Sequence, residues 1–277
     1  MFVKEALKQA CSKLINSSTP ALDARILLCH VLDKTHEQLL ISYNDELNTS
    51  IQRHYFELIQ RRISQEPIAY IIGEQEFYGR SFIVDKNVLI PRPETELIID
   101  SVLENIHHDS TIKILDLGTG SGAIAVTLAK EIITAEIVAT DICASALNIA
   151  KLNAKKHFAE NQIIFKQSNW YENINDEKFD FIISNPPYIS YSDTNLVATQ
   201  TELFEPHLAL YAGDDGLYAY DKIIKNAIDY LKNDGKILLE IGFNQFDSVS
   251  NILKQNGYNK ILLKKDLADM PRIITVY

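Results

Sequence analysis

The chain has 277 residues, 46% of them hydrophobic and 23% charged, with a net charge of −10. That is the composition of an ordinary globular protein and excludes a disordered, collagenous or low-complexity chain. The charge is uneven: residues 1–92 hold 11 basic and 11 acidic side chains and residues 93–277 hold 16 and 26, so the larger part of the molecule repels a nucleic-acid backbone.

No apolar run approaches the roughly 18 residues that a spanning helix needs. The first residues, Met1 to Lys8, mix charges among apolar positions and lack the apolar core of a leader. Cys11, Cys29 and Cys143 are scattered, with no metal-ligand spacing. A reducing cytoplasm is therefore expected, with neither a disulfide framework nor a metal site.

The first 70 residues read as helices. Thr19-Pro20 is a start signal, a capping hydroxyl followed by proline in the first turn, and Leu22, Ile26, Leu27, Val31 and Leu32 follow as an apolar stripe. A further helix is expected from about Thr49, with Ile51, Tyr55, Leu58 and Ile59 inside and Arg53, His54, Arg61 and Arg62 as a solvated basic face. From Gly73 the texture changes. Phe77 to Val84, followed by Val88-Leu89-Ile90, reads as a short hairpin, and Pro91-Arg92-Pro93 interrupts any regular element. The expected organisation is a helical domain over 1–74, a hairpin linker over 75–92 and a second domain over 93–277.

Beyond Glu94, strands and helices alternate. Strands are expected at Ile112–Leu117, Glu136–Thr140, Ile163–Lys166, Phe179–Ser184, Lys236–Ile241, Lys260–Lys264 and Ile273–Tyr277. Helices are expected around 122–131, 144–157, 217–231 and 244–256. This pattern predicts a parallel sheet covered on both faces. The segment from Lys265 to Arg272 is too short for a helical crossover, so the last strand should run antiparallel to its neighbour.

Two motifs carry the chemistry. In Asp116-Leu117-Gly118-Thr119-Gly120-Ser121-Gly122, a buried strand ends in a glycine turn that feeds a helix, the place where open α/β sheets bind ligands. Glycines let the backbone approach a ligand closely. Asp141, ending the next strand, is placed to accept the hydroxyls of a ribose. Gly118, Gly120 and Ala123 also satisfy the dinucleotide pattern, so an NAD(P) oxidoreductase is a rival reading. Asp116 argues against it, because a carboxylate there sits badly beside a pyrophosphate and well beside an amino group and a sulfonium.

The second motif, Asn185-Pro186-Pro187-Tyr188, directly follows the strand Phe179–Ser184. Two consecutive prolines fix φ and remove two amide donors, leaving a stiff loop that presents carbonyls. An NH₂ group conjugated to a carbonyl or ring is a weak nucleophile. The Asn185 side-chain oxygen and the Pro186 carbonyl can each accept one N–H and favour its attack on an electrophilic methyl. Tyr188 offers a face on which a flat group can stack, or a π surface near a sulfonium, the latter worth about 0.5–2 kcal/mol.

Together these motifs resemble the amino-methyltransferases of DNA adenine, RNA and protein glutamine. Glu76-Phe77-Tyr78-Gly79, Leu89-Ile90-Pro91-Arg92-Pro93-Glu94-Thr95-Glu96, Phe204-Glu205-Pro206-His207-Leu208-Ala209-Leu210 and Ala212-Gly213-Asp214-Asp215-Gly216-Leu217 extend the likeness. Over nearly the whole chain they resemble the bacterial peptide chain release factor glutamine N5-methyltransferases.

The resemblance implies the class I S-adenosylmethionine-dependent methyltransferase fold, a doubly wound, mostly parallel seven-stranded sheet with an antiparallel last strand, preceded by a small all-helical domain and a β-hairpin linker. It implies a cytoplasmic enzyme of translation termination that methylates the Gly-Gly-Gln glutamine of release factors, with no nucleic acid, membrane or metal required. By the same likeness, Asp116, Gly118, Thr119, Gly120, Ser121, Gly122 and Asp141 would bind S-adenosylmethionine, Trp170 would lie on its adenine, and Asn185, Pro186, Pro187 and Tyr188 would hold the glutamine, with Asn185 touching the cofactor as well. Relatives often have an acid where this chain has Asn169.

Among other residues of catalytic type, His54, the His107-His108 pair and His207 lack partners at motif spacing and read as structural or surface. Glu94 and Glu96 read as helix-start acids. A nucleic-acid methyltransferase would share Asn185–Tyr188 but would usually add a basic surface or a recognition domain. A binding-only module has no use for that motif.

Overall fold

The computed structural model describes residues 1–106 and 111–277, and the His107-His108 pair lies outside them. The chain forms two compact units, residues 1–74 with 198–204, and residues 75–197 with 205–277.

The first unit contains α1 (Val3–Lys13), α2 (Pro20–Leu32), α3 (His36–Ile41), α4 (Thr49–Ile63) and α5 (Ile68–Ile72), together with the short helix Thr199–Phe204. Pro20 opens α2 as expected, but Thr19 does not cap it through its side chain. Its hydroxyl instead donates to Asp23 at 2.9 Å. The buried face of α2 is Asp23, Ala24, Leu27 and Leu28, and Leu22 is exposed. A polar face turns inward because Arg62 of α4 meets Asp23 at 2.6 Å with both side chains nearly buried. Arg62 is thus an internal partner and no part of a solvated basic face. Tyr55, Leu58 and Ile59 are the buried residues of α4.

The second unit opens with a hairpin, β1 (Glu74–Phe77) and β2 (Arg80–Ile83), turned by Tyr78-Gly79 with φ of 51° and 71°. The Tyr78 N–H donates to Glu96 at 2.8 Å, which gives that helix-start acid a second task. Val88-Leu89-Ile90 is not a strand. The Val88 N–H closes a turn on the Asp85 carbonyl, and the Ile90 N–H goes to the buried carboxylate of Glu205.

Next come α6 (Glu96–Leu103), β3 (Ile112–Leu117), α7 (Ala123–Glu131), β4 (Ala135–Asp141), α8 (Ala144–Lys156), β5 (Ile163–Gln167) and β6 (Phe179–Ser184). The rest are α9 (Thr199–Phe204, already placed in the first unit), α10 (His207–Leu210), α11 (Tyr218–Ala227), β7 (Leu231–Glu240), α12 (Phe246–Gln255), β8 (Ile261–Lys265) and β9 (Pro271–Val276). The seven-stranded sheet has the order β5-β4-β3-β6-β7-β9-β8, and β9 alone runs antiparallel, to both neighbours. β7 starts at Leu231 and not at Lys236. Leu231 pairs with Phe179 through an irregular register, helped by Gly235, where a Cβ would come within 2.9 Å of the Phe179 carbonyl.

Alternation along the strands splits the core. Ile112, Ile114, Ile137 and Ile183 pack with α6 and α7, whereas Leu115, Leu117, Ile182 and Leu239 pack with α11 and α12. Two-residue periodicity therefore puts Asp116 on the α7 side of β3, directly under the turn that follows.

Candidate functional site

The carboxyl ends of β3, β4 and β6 converge where the strand order reverses, as ligand sites in doubly wound sheets do. Leu117 and Ser184 end neighbouring strands, and the Ser184 hydroxyl donates to the Leu117 carbonyl at 2.7 Å. That bond fixes Asn185 beside Gly118. A cavity of about 440 Å³ lies over this edge.

Gly118, Gly120 and Gly122 all have positive φ. A Cβ at Gly118 or Gly120 would meet no atom within 4 Å, so the chain stays bare over open space there. Gly122 serves packing, since a Cβ would lie 3.1 Å from Ala150 of α8. The Gly118 and Thr119 N–H groups donate to the Thr140 carbonyl at 2.9 and 2.8 Å, and the Gly120 N–H donates to Asp141 at 2.9 Å. These three amides face β4 and are not free to cradle a ligand, contrary to the expectation from glycine content.

Asp116 is fully buried and accepts the Thr119 hydroxyl at 2.6 Å. Its other oxygen makes no hydrogen bond of normal geometry. Burial pushes its pKa up to about 7; the Thr119 hydroxyl pulls down, and the nearby Asp141 charge adds to the rise. Asp141 is also raised by burial, while the backbone N–H groups of Cys143, Gly120 and Ile142 lower it.

Of the predicted residues, Gly118, Thr119, Gly120, Ser121, Asp141, Trp170, Asn185 and Pro187 line the cavity. Asp116, Gly122, Pro186 and Tyr188 do not. Asp116 supports the turn from below, and Tyr188 packs against the α11–α12 side of the core. Trp170 does both, lining the cavity and packing on that core, with φ of 52°. The Asn169 amide group donates to Glu172 at 2.8 Å, leaving its oxygen as the end able to accept.

Several contacts of the site have no counterpart in the sequence reading. Asn185 Nδ2 donates to Thr95 Oγ1 at 3.1 Å, and Thr95 Oγ1 donates to Glu240 Oε2 at 2.6 Å. Gln245 Nε2 donates to the Tyr188 carbonyl at 2.9 Å and to the Gly216 carbonyl at 3.2 Å. Glu205 receives both Arg92 and the Ile90 N–H. Thr95, Gly216 and Glu205 stand inside the motif blocks that carry the family resemblance, which is the only signal for them. Glu240 ends β7 and Gln245 directly precedes α12, and no polar pattern marks either. Among the described residues no three His, Cys, Asp or Glu side chains gather as a metal set, and no helix is long and apolar enough to cross a membrane.

Comparison with known proteins matches residues 5–73 to the family described as PrmC N-terminal domain and residues 95–213 to the methyltransferase small domain. A release factor glutamine methyltransferase of Coxiella burnetii is 40% identical, the match covering 98% of this chain and 97% of that protein. A bifunctional methyltransferase of Rickettsia prowazekii is 44% identical over 99% of this chain, which spans only 57% of the length of that relative. Among solved structures, a methyltransferase from Pyrococcus furiosus shares the fold with a TM-score of 0.52 at 18% identity, covering 78% of this chain and 96% of that one. The hMettl16 catalytic domain, solved with an RNA hairpin of MAT2A, gives 0.58 at 16% identity over 83% and 82% of the two chains. With the full-length similarity to the Coxiella protein added to the strand-end site, this chain belongs to the release factor glutamine methyltransferase family.

Proposed function

We propose that this chain transfers a methyl group from S-adenosylmethionine to the side-chain amide nitrogen of the glutamine in the Gly-Gly-Gln motif of peptide chain release factors. The observation that carries the reading is the convergence of the bare glycine turn, Asp141 and Asn185 on one cavity at the ends of adjacent strands. The donor set suits this cofactor better than a dinucleotide. A pyrophosphate seeks free backbone amides, and here three loop amides are committed to β4 above a buried carboxylate.

Asp141 would hold the ribose, Gly118–Ser121 the amino-acid end, and Trp170 with Ile142 the adenine. When bound, the cofactor supplies an electron-poor methyl carbon on sulfur. Asn185 Oδ1, in the cavity wall, would accept one N–H of the substrate amide, and the carbonyl of Pro186, which is not part of that wall, would accept the other once substrate is bound, holding its nitrogen in a pyramidal, nucleophilic shape. Held in this way, the nitrogen would take the methyl carbon as its bond to sulfur breaks and would then release a proton to solvent. No general base is required before attack. Residues 1–74, balanced in charge where the rest is acidic, would contact the release factor body and add binding remote from the reaction. As proposed, the reaction requires no direct contact with nucleic acid or membrane and takes place in the cytoplasm.

Methyl transfer from isotope-labelled S-adenosylmethionine into a bacterial lysate tests the reading. The expected result is label in proteins of release-factor size. Label confined to nucleic acid would overturn it.

A further inference from the structure

Asn185 has two chemically opposite ends, and only one suits a substrate NH₂ group. We infer that Glu240 and Thr95 are positioning residues which fix the Asn185 amide with its oxygen toward the substrate. The inference rests on the amide-methylating reading above.

Proton count sets the orientation. Thr95 has one hydroxyl proton, and at 2.6 Å from Glu240 Oε2 that proton is spent on the carboxylate. The Thr95 oxygen can then only accept, so the neighbour at 3.1 Å must present a donor, and Asn185 turns Nδ2 toward it. Oδ1 is left as the other end of the amide, on a side chain that lines the cavity with Thr95. A carboxylate enforces this because it has no proton to give. A protonated Glu240 could donate to Thr95 and free the threonine proton for Asn185 Oδ1. The amide would then be able to flip and would show the substrate a donor where an acceptor is needed.

Glu240 is placed for such control. It ends β7 and is 2% exposed. Burial outweighs every other influence and pushes its pKa up to about 7; Thr95, Arg272 of β9 and Arg92 pull it down, and Glu94 adds to the rise. Tyr188 and Tyr220 also face it, the Tyr220 hydroxyl donating to the Glu240 backbone carbonyl at 3.0 Å. Both protonation states are therefore accessible near neutral pH, and only the ionised one dictates the amide.

Two readouts test the relay in the full chain, using Thr95→Val, Thr95→Ser and Glu240→Gln. The first is kinetic, with a Gly-Gly-Gln peptide over a range of pH. Thr95→Val should lower kcat about 10- to 100-fold, with the Kd for S-adenosylhomocysteine unchanged within about twofold, and Thr95→Ser should restore most of the rate. In wild type kcat should fall as pH drops through the Glu240 titration, and Glu240→Gln should lower kcat and remove that fall. The second readout needs no turnover: the side-chain ¹⁵N–¹H signals of Asn185 should shift with pH in wild type and stay flat in Glu240→Gln. Equal rates for the valine and serine variants, or an acid-side fall that persists in Glu240→Gln, would overturn the relay. An Asn185 signal insensitive to pH in wild type would do the same. Should wild type transfer no methyl to any glutamine, the substrate reading fails, and the amide signals still decide the relay.

Discussion

Gly216→Ala tests how the loop after α10 holds the substrate-binding loop in register. Gly216 has φ of 71°, and a Cβ there would lie 2.4 Å from the Tyr188 carbonyl oxygen, 3.0 Å from Gln245 Nε2 and 3.2 Å from the Ser190 nitrogen. Ordinary contact begins at 3.4 Å, so a backbone oxygen three residues after Asn185 must retreat by about 1 Å. The Gln245 bridge to both carbonyls breaks with it. The left-handed backbone adds about 1 kcal/mol of strain. Gly257 is the control, with φ of 89° and nothing within 4 Å of where a Cβ would stand. Gly257→Ala should cost about 1 kcal/mol, a fall in Tm of roughly 2–4 °C, with turnover intact. Gly216→Ala should lower kcat up to about 100-fold, as a 1 Å misplacement near reacting atoms does. Its S-adenosylhomocysteine affinity by calorimetry should be preserved, because the cofactor side of the cavity is untouched. Should Gly216→Ala keep kcat within twofold of wild type, the bracing argument is wrong.

Asn185→Ala should mainly reduce kcat and Asp141→Ala mainly weaken cofactor affinity, and steady-state kinetics with calorimetry separates the two; an Asn185 variant with normal turnover would refute its role. Asp23→Ala removes the buried carboxylate partner of Arg62, leaving the guanidinium only the Glu66 carbonyl and Gln200 Oε1, and should destabilise the helical unit by about 2 kcal/mol in denaturant melts. Asp116 titrates at about 7 in the fold against an ordinary value of 3.8, so the native state holds its proton more tightly. The stability it contributes is full below pH 3.8 and is lost as pH rises through about 7. Tm measured over that window should fall less steeply in Asp116→Asn than in wild type, and parallel slopes would remove Asp116 as the cause.

The sheet was legible because its strands carry buried, alternating runs bounded by turns, and the short Lys265–Arg272 connection set the direction of β9. The glycine turn, Asp141 and Asn185 were legible because strand-end position and residue chemistry coincide there. Other features were hidden by contacts distant in sequence. Asp23 is buried because Arg62 reaches it across the helical unit, so a stripe read from apolar residues alone was rotated on α2. The turn amides belong to the end of β4, a fact no glycine count contains. Thr95 and Glu240 matter through one shared proton, and their separation along the chain gives no pattern to read.

The most direct test combines purified release factor, S-adenosylmethionine and this protein, followed by tandem mass spectrometry of the Gly-Gly-Gln peptide. One added methyl is expected on the glutamine side-chain amide, absent when that glutamine is replaced by glutamate and strongly reduced with Asn185→Ala. A methyl found on another residue, or an unmodified glutamine beside a protein that binds S-adenosylhomocysteine normally, would contradict it.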